Sequence, residues 1–339
     1  MPIFEQGYQH WQGKLSGHTW RWLTITRHGV RAQLANRWVR LVILLAWLPA
    51  LLLAAFLAFW GLVEQQSSLV TPLLGALLDP KLAFVVLNDP QQFRTAVWTI
   101  AYRYFFQYEI FFSMILVLLV GPSLISQDLR FNAIPLYFSR PMRRWDYFVG
   151  KLGIIAVYVA AVAIVPALLA YVLGLCFSLD LAVVRDTLRV LGGGLAYGLV
   201  VVASAGTLML ALSALSRNAR VVGAFWVGLW IVSNMAAGVL GRILPHQEWC
   251  PLVSYTANLD RLSAELLNSG RAFDQVNATI DELNLASSAP RRRIMARMMP
   301  KLSNGPDFPW YWSAGVLAGL VGLSLWILTS RVQSLDRLK

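Results

Sequence analysis

The chain has 339 residues, 57% of them hydrophobic and only 14% charged. A water-soluble domain carries about 25% charge, so the composition points away from one and toward a membrane protein. The formal net charge of +12 does not imply a nucleic-acid partner, because it is distributed as in a membrane protein with a basic inner face. Two cysteines exclude a disulfide framework and any cysteine-rich metal site. Cys176 and Cys250 fall toward one membrane face, and the sequence leaves a single bridge between them open.

Residues 1–40 are polar, aromatic and basic, with Lys14, Arg21, Arg27, Arg31, Arg37 and Arg40 against Glu5. They show no signal-peptide pattern, since the first apolar run begins too late and is too long. Leu23, Val30, Leu34 and Trp38 lie on one helical stripe, with Arg27 and Arg31 one turn apart. That pattern suits an interfacial helix facing anionic membrane lipids, and an ordinary basic flank fits it equally. Six apolar spans follow, at about 41–63, 105–126, 153–178, 188–215, 221–244 and 313–329. Their lengths suit a hydrocarbon core of about 30 Å. Trp310 and Trp312 precede the last as an interfacial anchor.

Between the first two spans, residues 64–104 read as a mixed loop with Pro72, Pro80 and Pro90 and room for a short helix near 93–101. Residues 245–309 are too long for a plain connector. Leu259, Leu262 and Leu266, then Phe273, Val276, Ile280 and Leu283, predict two amphipathic helices broken near Gly270. A basic cluster, Arg291–Arg293 with Arg297 and Lys301, follows them. With both ends inside, segments 1–40, 127–151, 216–220 and 331–339 hold 16 of the 29 Lys/Arg and 4 of the 17 Asp/Glu. The whole excess then lies on one side, the positive-inside pattern; the cluster at 291–301 strains it, although the rule weakens for loops of this length. The expectation is an all-α membrane protein with six transmembrane helices, an N-terminal interfacial helix, a helical outer insertion and both termini cytoplasmic, in a plasma (bacterial inner) membrane.

One stretch, Ile125 to Lys151, is a short polar interval between two apolar runs. It carries Arg130, Arg140, Arg143, Arg144 and Lys151 against Asp128 and Asp146. Leu129, Ile134, Leu136 and Tyr137 sit among the polar residues, so a short amphipathic helix fits, while Pro135 and Pro141 limit it to one or two turns before a bend. Ser139-Arg140-Pro141, then Arg144, Tyr147 and Gly150-Lys151 resemble the cytoplasmic loop of ATP-binding cassette (ABC) type-2 exporter permeases. The resemblance implies a coupling helix at Asp128–Phe138 docking on a separate ATPase, and Arg140–Lys151 as the return to the membrane, with Gly150-Lys151 opening the next helix. Docking residues under it are Asp128, Arg130, Ile134, Leu136, Arg140, Pro141 and Arg144. The chain departs from the family pattern at Asn132-Ala133 and Pro135, where many members read Gly-Thr and then uninterrupted helix. A second permease copy or a related permease is the other implied partner, with ATP and Mg on the ATPase and no cofactor on this chain.

Nucleotide and catalytic motifs are absent. Gly13-Lys14 and Gly150-Lys151 lack the upstream glycine and following hydroxyl of a phosphate loop, and neither H-E-x-x-H nor G-x-S-x-G occurs. Glu109 is the only carboxylate inside an expected span and Asn234 the second polar candidate; each fits a substrate path or simple packing. Gly194-x-x-x-Gly198 and Gly315-x-x-x-Gly319 permit close helix approach. The resemblance implies transport of a hydrophobic or lipid-like substrate. An ion-coupled secondary transporter and a non-transporting assembly or sensor protein are the alternatives.

Overall fold

The computed structural model describes residues 20–68, 70, 72–74, 80–138, 143–178, 180, 182–244, 247–285 and 308–336. Among these residues the regular structure is entirely helical: α1 (Arg21–Leu34), α2 (Arg37–Glu64), α3 (Pro80–Asn88), α4 (Pro90–Val120), α5 (Ser123–Arg130), α6 (Ile134–Phe138), α7 (Arg144–Phe177), α8 (Ala182–Leu215), α9 (Ala219–Ile243), α10 (Tyr255–Leu266), α11 (Ser269–Leu285) and α12 (Trp310–Asp336). Six helical stretches are long and apolar enough to cross a membrane: α2, α4 continuing into α5, α7, α8, α9 and α12. The expected all-α, six-span architecture is therefore the one observed.

The second span begins earlier than hydropathy suggests. Asp89 accepts from the Gln92 N–H and Pro90 occupies the first turn, two start signals that launch α4 well before residue 105. Of the stretch 64–104, read as a mixed loop with a short helix near 93–101, residues 80–88 form α3 and residues 90–104 are the N-terminal part of α4, whose Phe93, Ala96 and Trp98 are buried. α4 is central and packs against α2, α7, α8 and α11. Phe106 lies 5.3 Å from Tyr197 of α8, and Trp98 lies 5.5 Å from Tyr171 of α7, both edge to face. The Tyr102 hydroxyl, buried in this aromatic core, donates to the Ala167 carbonyl at 2.8 Å.

Helices α7, α8 and α9 each contain one π-helical turn, at Ala160–Ile164, Val202–Gly206 and Gly228–Val232. A π turn adds a residue and rotates the face that follows. In α8 it brings Ser204 to 2.9 Å from the Tyr255 hydroxyl, and in α9 it immediately precedes Ser233 and Asn234.

The described part of the insertion after α9 folds as the two helices α10 and α11, and the break expected near Gly270 falls at Leu267-Asn268. Asn268 takes φ 54°, a left-handed conformation that Asn tolerates, while Gly270 lies inside α11. Two features seat α10. A Cβ at Gly193 of α8 would lie 2.3 Å from the Leu266 carbonyl oxygen, so only glycine allows the approach. Arg103 of α4 donates to both Asp260 oxygens at 2.6 Å and to Ser263 at 2.7 Å. Both cysteines are free, Cys176 exposed and Cys250 buried.

Candidate functional site: the loop between α4 and α7

α4 ends at Gly121-Pro122 and the chain restarts as α5. The first N–H groups of a helix lack intrahelical partners, and here α8 supplies one. Ser213 Oγ accepts from the Ile125 and Ser126 N–H groups at 3.0 Å each and donates to the Pro122 carbonyl at 2.9 Å. Ser213→Ala leaves these buried backbone groups without that partner, at an expected cost of about 1–3 kcal/mol, measured as a lowered melting temperature in detergent.

α5 ends in a left-handed turn. Asn132 has φ 50°, and the Ala133 N–H donates to the Asp128 carbonyl at 2.9 Å, the bond that closes a Schellman turn. α6 then covers only Ile134–Phe138, with Pro135 in its first turn. Asp128–Phe138 is accordingly two short helical pieces about Asn132 rather than one helix. The departure from the family pattern at Asn132-Ala133 is where it divides. Arg140 and Pro141 lie outside the described residues, as does the side chain of Leu136.

α7 starts at Arg144, where Asp146 Oδ2 accepts from the Arg143 N–H at 3.1 Å and the Asp146 N–H donates to the Arg143 carbonyl at 3.0 Å. Gly150-Lys151 therefore sits inside α7 rather than opening it. Its role is spatial. Lys151 Nζ is 2.8 Å from Asp128 Oδ2, and the Tyr147 hydroxyl donates to the same oxygen at 2.7 Å. The ammonium lies 5.5 Å from the Tyr147 ring centroid and 5.8 Å from that of Tyr137, within cation–π range. Burial, with the nearby Asp128 carboxylate, pushes the Tyr137 phenol above its ordinary pKa. Together these groups lock the end of α5 and α6 onto α7.

Gly150 serves the other side of α7. A Cβ there would lie 2.8 Å from Ile25 Cβ of α1, and its carbonyl accepts from Thr26 Oγ1 at 2.9 Å. Tyr158 donates to the Val30 carbonyl at 2.8 Å, and Gln33 Nε2 to Ser123 Oγ at 3.2 Å. α1 thus lies across α7 and touches α5, with Leu23 and Leu34 exposed; it ends before Trp38, which is exposed on α2, so the expected stripe is divided between two helices.

Around the lock, Phe131 is 72% exposed and Trp145 60% exposed, with Arg130 and Arg143 exposed beside them. Arg130 lies over the Phe131 ring at 5.6 Å. Ile134 is buried and Arg144 half-buried. Of the residues expected to dock, Arg130 is thus open to a partner, while Asp128 and Ile134 hold the loop in shape. Sequence reading missed Ser213, whose contribution depends on residues nearly ninety positions away and has no local signature.

The two intramembrane candidates differ. Asn234 of α9 donates to the Trp230 carbonyl at 2.9 Å and accepts from Ser254 and from Thr256 (2.6 Å), tying α9 to the start of α10. Glu109 of α4 is 1% exposed, and neither carboxylate oxygen has a hydrogen-bond partner among the described residues. A buried ionisable group without a partner is destabilising. Glu109→Gln is therefore expected to keep or raise the melting temperature, and a lowered value would contradict the partnerless geometry.

The fold and this loop define a multi-pass membrane protein with an aromatic and basic polar knuckle between its second and third spans. Residues 77–328 match the family model described as ABC-2 family transporter protein, and the chain belongs to that family. It is a membrane permease of an ABC transporter, a transport component. No curated protein matches the chain.

Proposed function

We propose that this permease is the membrane subunit of a type-2 ABC exporter, driven by ATP and Mg held on a separate ATPase subunit that docks on the α5–α6 loop. The observation that carries the proposal is the Asp128–Tyr147–Lys151 lock. A loop that passes a push from a soluble motor to the spans has to be stiff, and a largely buried charge network makes it so. Exposed Phe131, Trp145, Arg130 and Arg143 surround the lock. Aromatic and guanidinium groups dominate interface hot spots, and Arg pairs bidentately with acidic groups of a partner. Arg140, Pro141 and Leu136 are docking residues under this proposal on the family resemblance of their sequence.

Under this reading the loop and both termini face the cytoplasm, which the positive-inside balance supports, with α10–α11 outside and the protein in a plasma (bacterial inner) membrane. α1, with Leu23 and Leu34 outward, is an interfacial helix under this reading. A second copy, or a related permease, covers α9. Only 11% of its apolar window is buried, against 67% for α8, and Phe225, Ile231, Met235 and Val239 face outward from it. A hydrophobic or lipid-like cargo passes between the two permeases.

The deciding experiment is purification of the tagged chain from native membranes in mild detergent, with its partners identified by mass spectrometry. A stoichiometric soluble protein carrying a phosphate-loop sequence is expected. Its absence across several detergents overturns the docking reading and favours an ion-coupled secondary transporter, with Glu109, which has no hydrogen-bond partner among the described residues, as the coupling carboxylate. Orientation has its own test. A cysteine at the exposed Ala278, with Cys176 and Cys250 replaced, is expected to react with an impermeant maleimide in intact cells. Labelling only after permeabilisation reverses the topology.

A further inference from the structure

At the end of the bundle opposite the Asp128 loop, α4, α8 and the α10–α11 turn enclose a cavity of about 200 Å³. Sites for drug-sized ligands begin at roughly 300 Å³, so this one suits a single ionic group with a few attached atoms. Arg189 of α8 and Arg271 of α11 line it from separate elements, and neither has an ion-pair partner among the described residues. Thr99 lines it from α4; it is 3% exposed, and its hydroxyl makes no hydrogen bond to the described residues. Asn268, held in the left-handed turn, adds a side-chain amide that is equally without a bond to them. The carboxylate on the wall, Asp186, lies 3.2 Å from Arg94, which also bonds Glu64 at 2.8 and 2.9 Å. Part of its charge is therefore offset from behind.

We propose that this cavity binds a phosphate group, gripped by Arg189 and Arg271 and hydrogen-bonded by Thr99 and Asn268. One guanidinium fork occupies both oxygens of a carboxylate, whereas a phosphate has oxygens enough for two forks at once. The phosphate belongs either to a lipid headgroup at the membrane surface or to a soluble ester. The site needs no ATPase, so it stands or falls apart from the docking reading above.

The test uses the full chain purified in a maltoside detergent, titrated separately with inorganic phosphate and with dihexanoyl phosphatidylglycerol, and read by calorimetry and melting temperature. Saturable binding of at least one probe is expected. Binding of the lipid alone assigns a headgroup, of phosphate alone a soluble ester, and of both a site that reads only the shared phosphate. Arg189→Gln and Arg271→Gln are each expected to weaken binding about tenfold, the scale of one charge-assisted contact. Both side chains are exposed and have no ion-pair partner among the described residues, so the ligand-free melting temperature should not move. Asp186→Asn removes a like charge and is expected to tighten binding. Arg185→Gln, an exposed charge on α8 outside the cavity, should change nothing. The proposal is overturned if neither probe saturates, if Arg185→Gln weakens binding as much as Arg189→Gln, or if Asp186→Asn weakens it.

Discussion

Asp128→Ala is expected to abolish transport and reduce co-purification of the ATPase to background, while the chain still inserts in the membrane. One oxygen of Asp128 receives both the Lys151 ammonium at 2.8 Å and the Tyr147 hydroxyl at 2.7 Å. Removing it strands a cation whose side chain is only 9% exposed, and breaking such a pair from one side costs about 3–5 kcal/mol. α5 and α6 are too short to hold their shape alone, so the cost falls on the loop rather than on the spans. The paired change Asp128→Asn with Lys151→Met removes both charges. It is expected to return the melting temperature to near the wild-type value, because replacing a whole buried pair by neutral groups is often close to neutral. Recovery of stability without recovery of the ATPase would give Asp128 or Lys151 a direct contact with the partner. Wild-type transport and co-purification in Asp128→Ala would falsify the lock as the coupling element.

The second large effect is expected at Arg94, far from that loop. Its guanidinium is 2% exposed and forks onto Glu64 at 2.8 and 2.9 Å, with Asp186 at 3.2 Å and Asp180 at 3.6 Å. It joins the end of α2, the start of α4 and the start of α8. Glu64 also accepts from Trp60 Nε1 at 2.9 Å. Arg94→Ala leaves that buried carboxylate without its cation, and a loss of about 3–5 kcal/mol is expected, seen as a large drop in melting temperature and poor yield from membranes. Arg94→Lys keeps the charge but not the fork, so an intermediate loss is expected. An unchanged melting temperature in Arg94→Ala would show that the carboxylates, two of them partly exposed, are satisfied by water instead.

The spans were legible because burial in lipid is written locally: an apolar run of about 20 residues matches the thickness of a bilayer and is costly to leave in water. α10 and α11 were legible for a similar reason, since their apolar residues recur at helical spacing. The break between them falls just ahead of Gly270, with Asn268 rather than a glycine in the left-handed conformation. Residues 90–104 read as the end of a mixed loop with only a short helix near 93–101, because their polar and aromatic residues dilute hydropathy. The Asp89-Pro90 start signal, visible in the sequence, outweighs that dilution once Phe93, Ala96 and Trp98 find a core. The loop's sequence gave its composition, but not its shape.

By itself, then, the sequence determined that this is a helical membrane protein with six spans, an excess of basic charge in a few polar segments, and a loop of ABC-permease character. These properties depend on composition and on neighbours within a turn or two. Tertiary structure alone decided that Gly150 is a crossing point for α1, that Lys151 closes on Asp128 and Tyr147, that Ser213 caps α5, and that Arg94 and Arg103 pair with Glu64 and Asp260. The physical reason is that a buried polar group must find its partner wherever packing brings one within about 3 Å, and most of these partners lie tens of residues away along the chain.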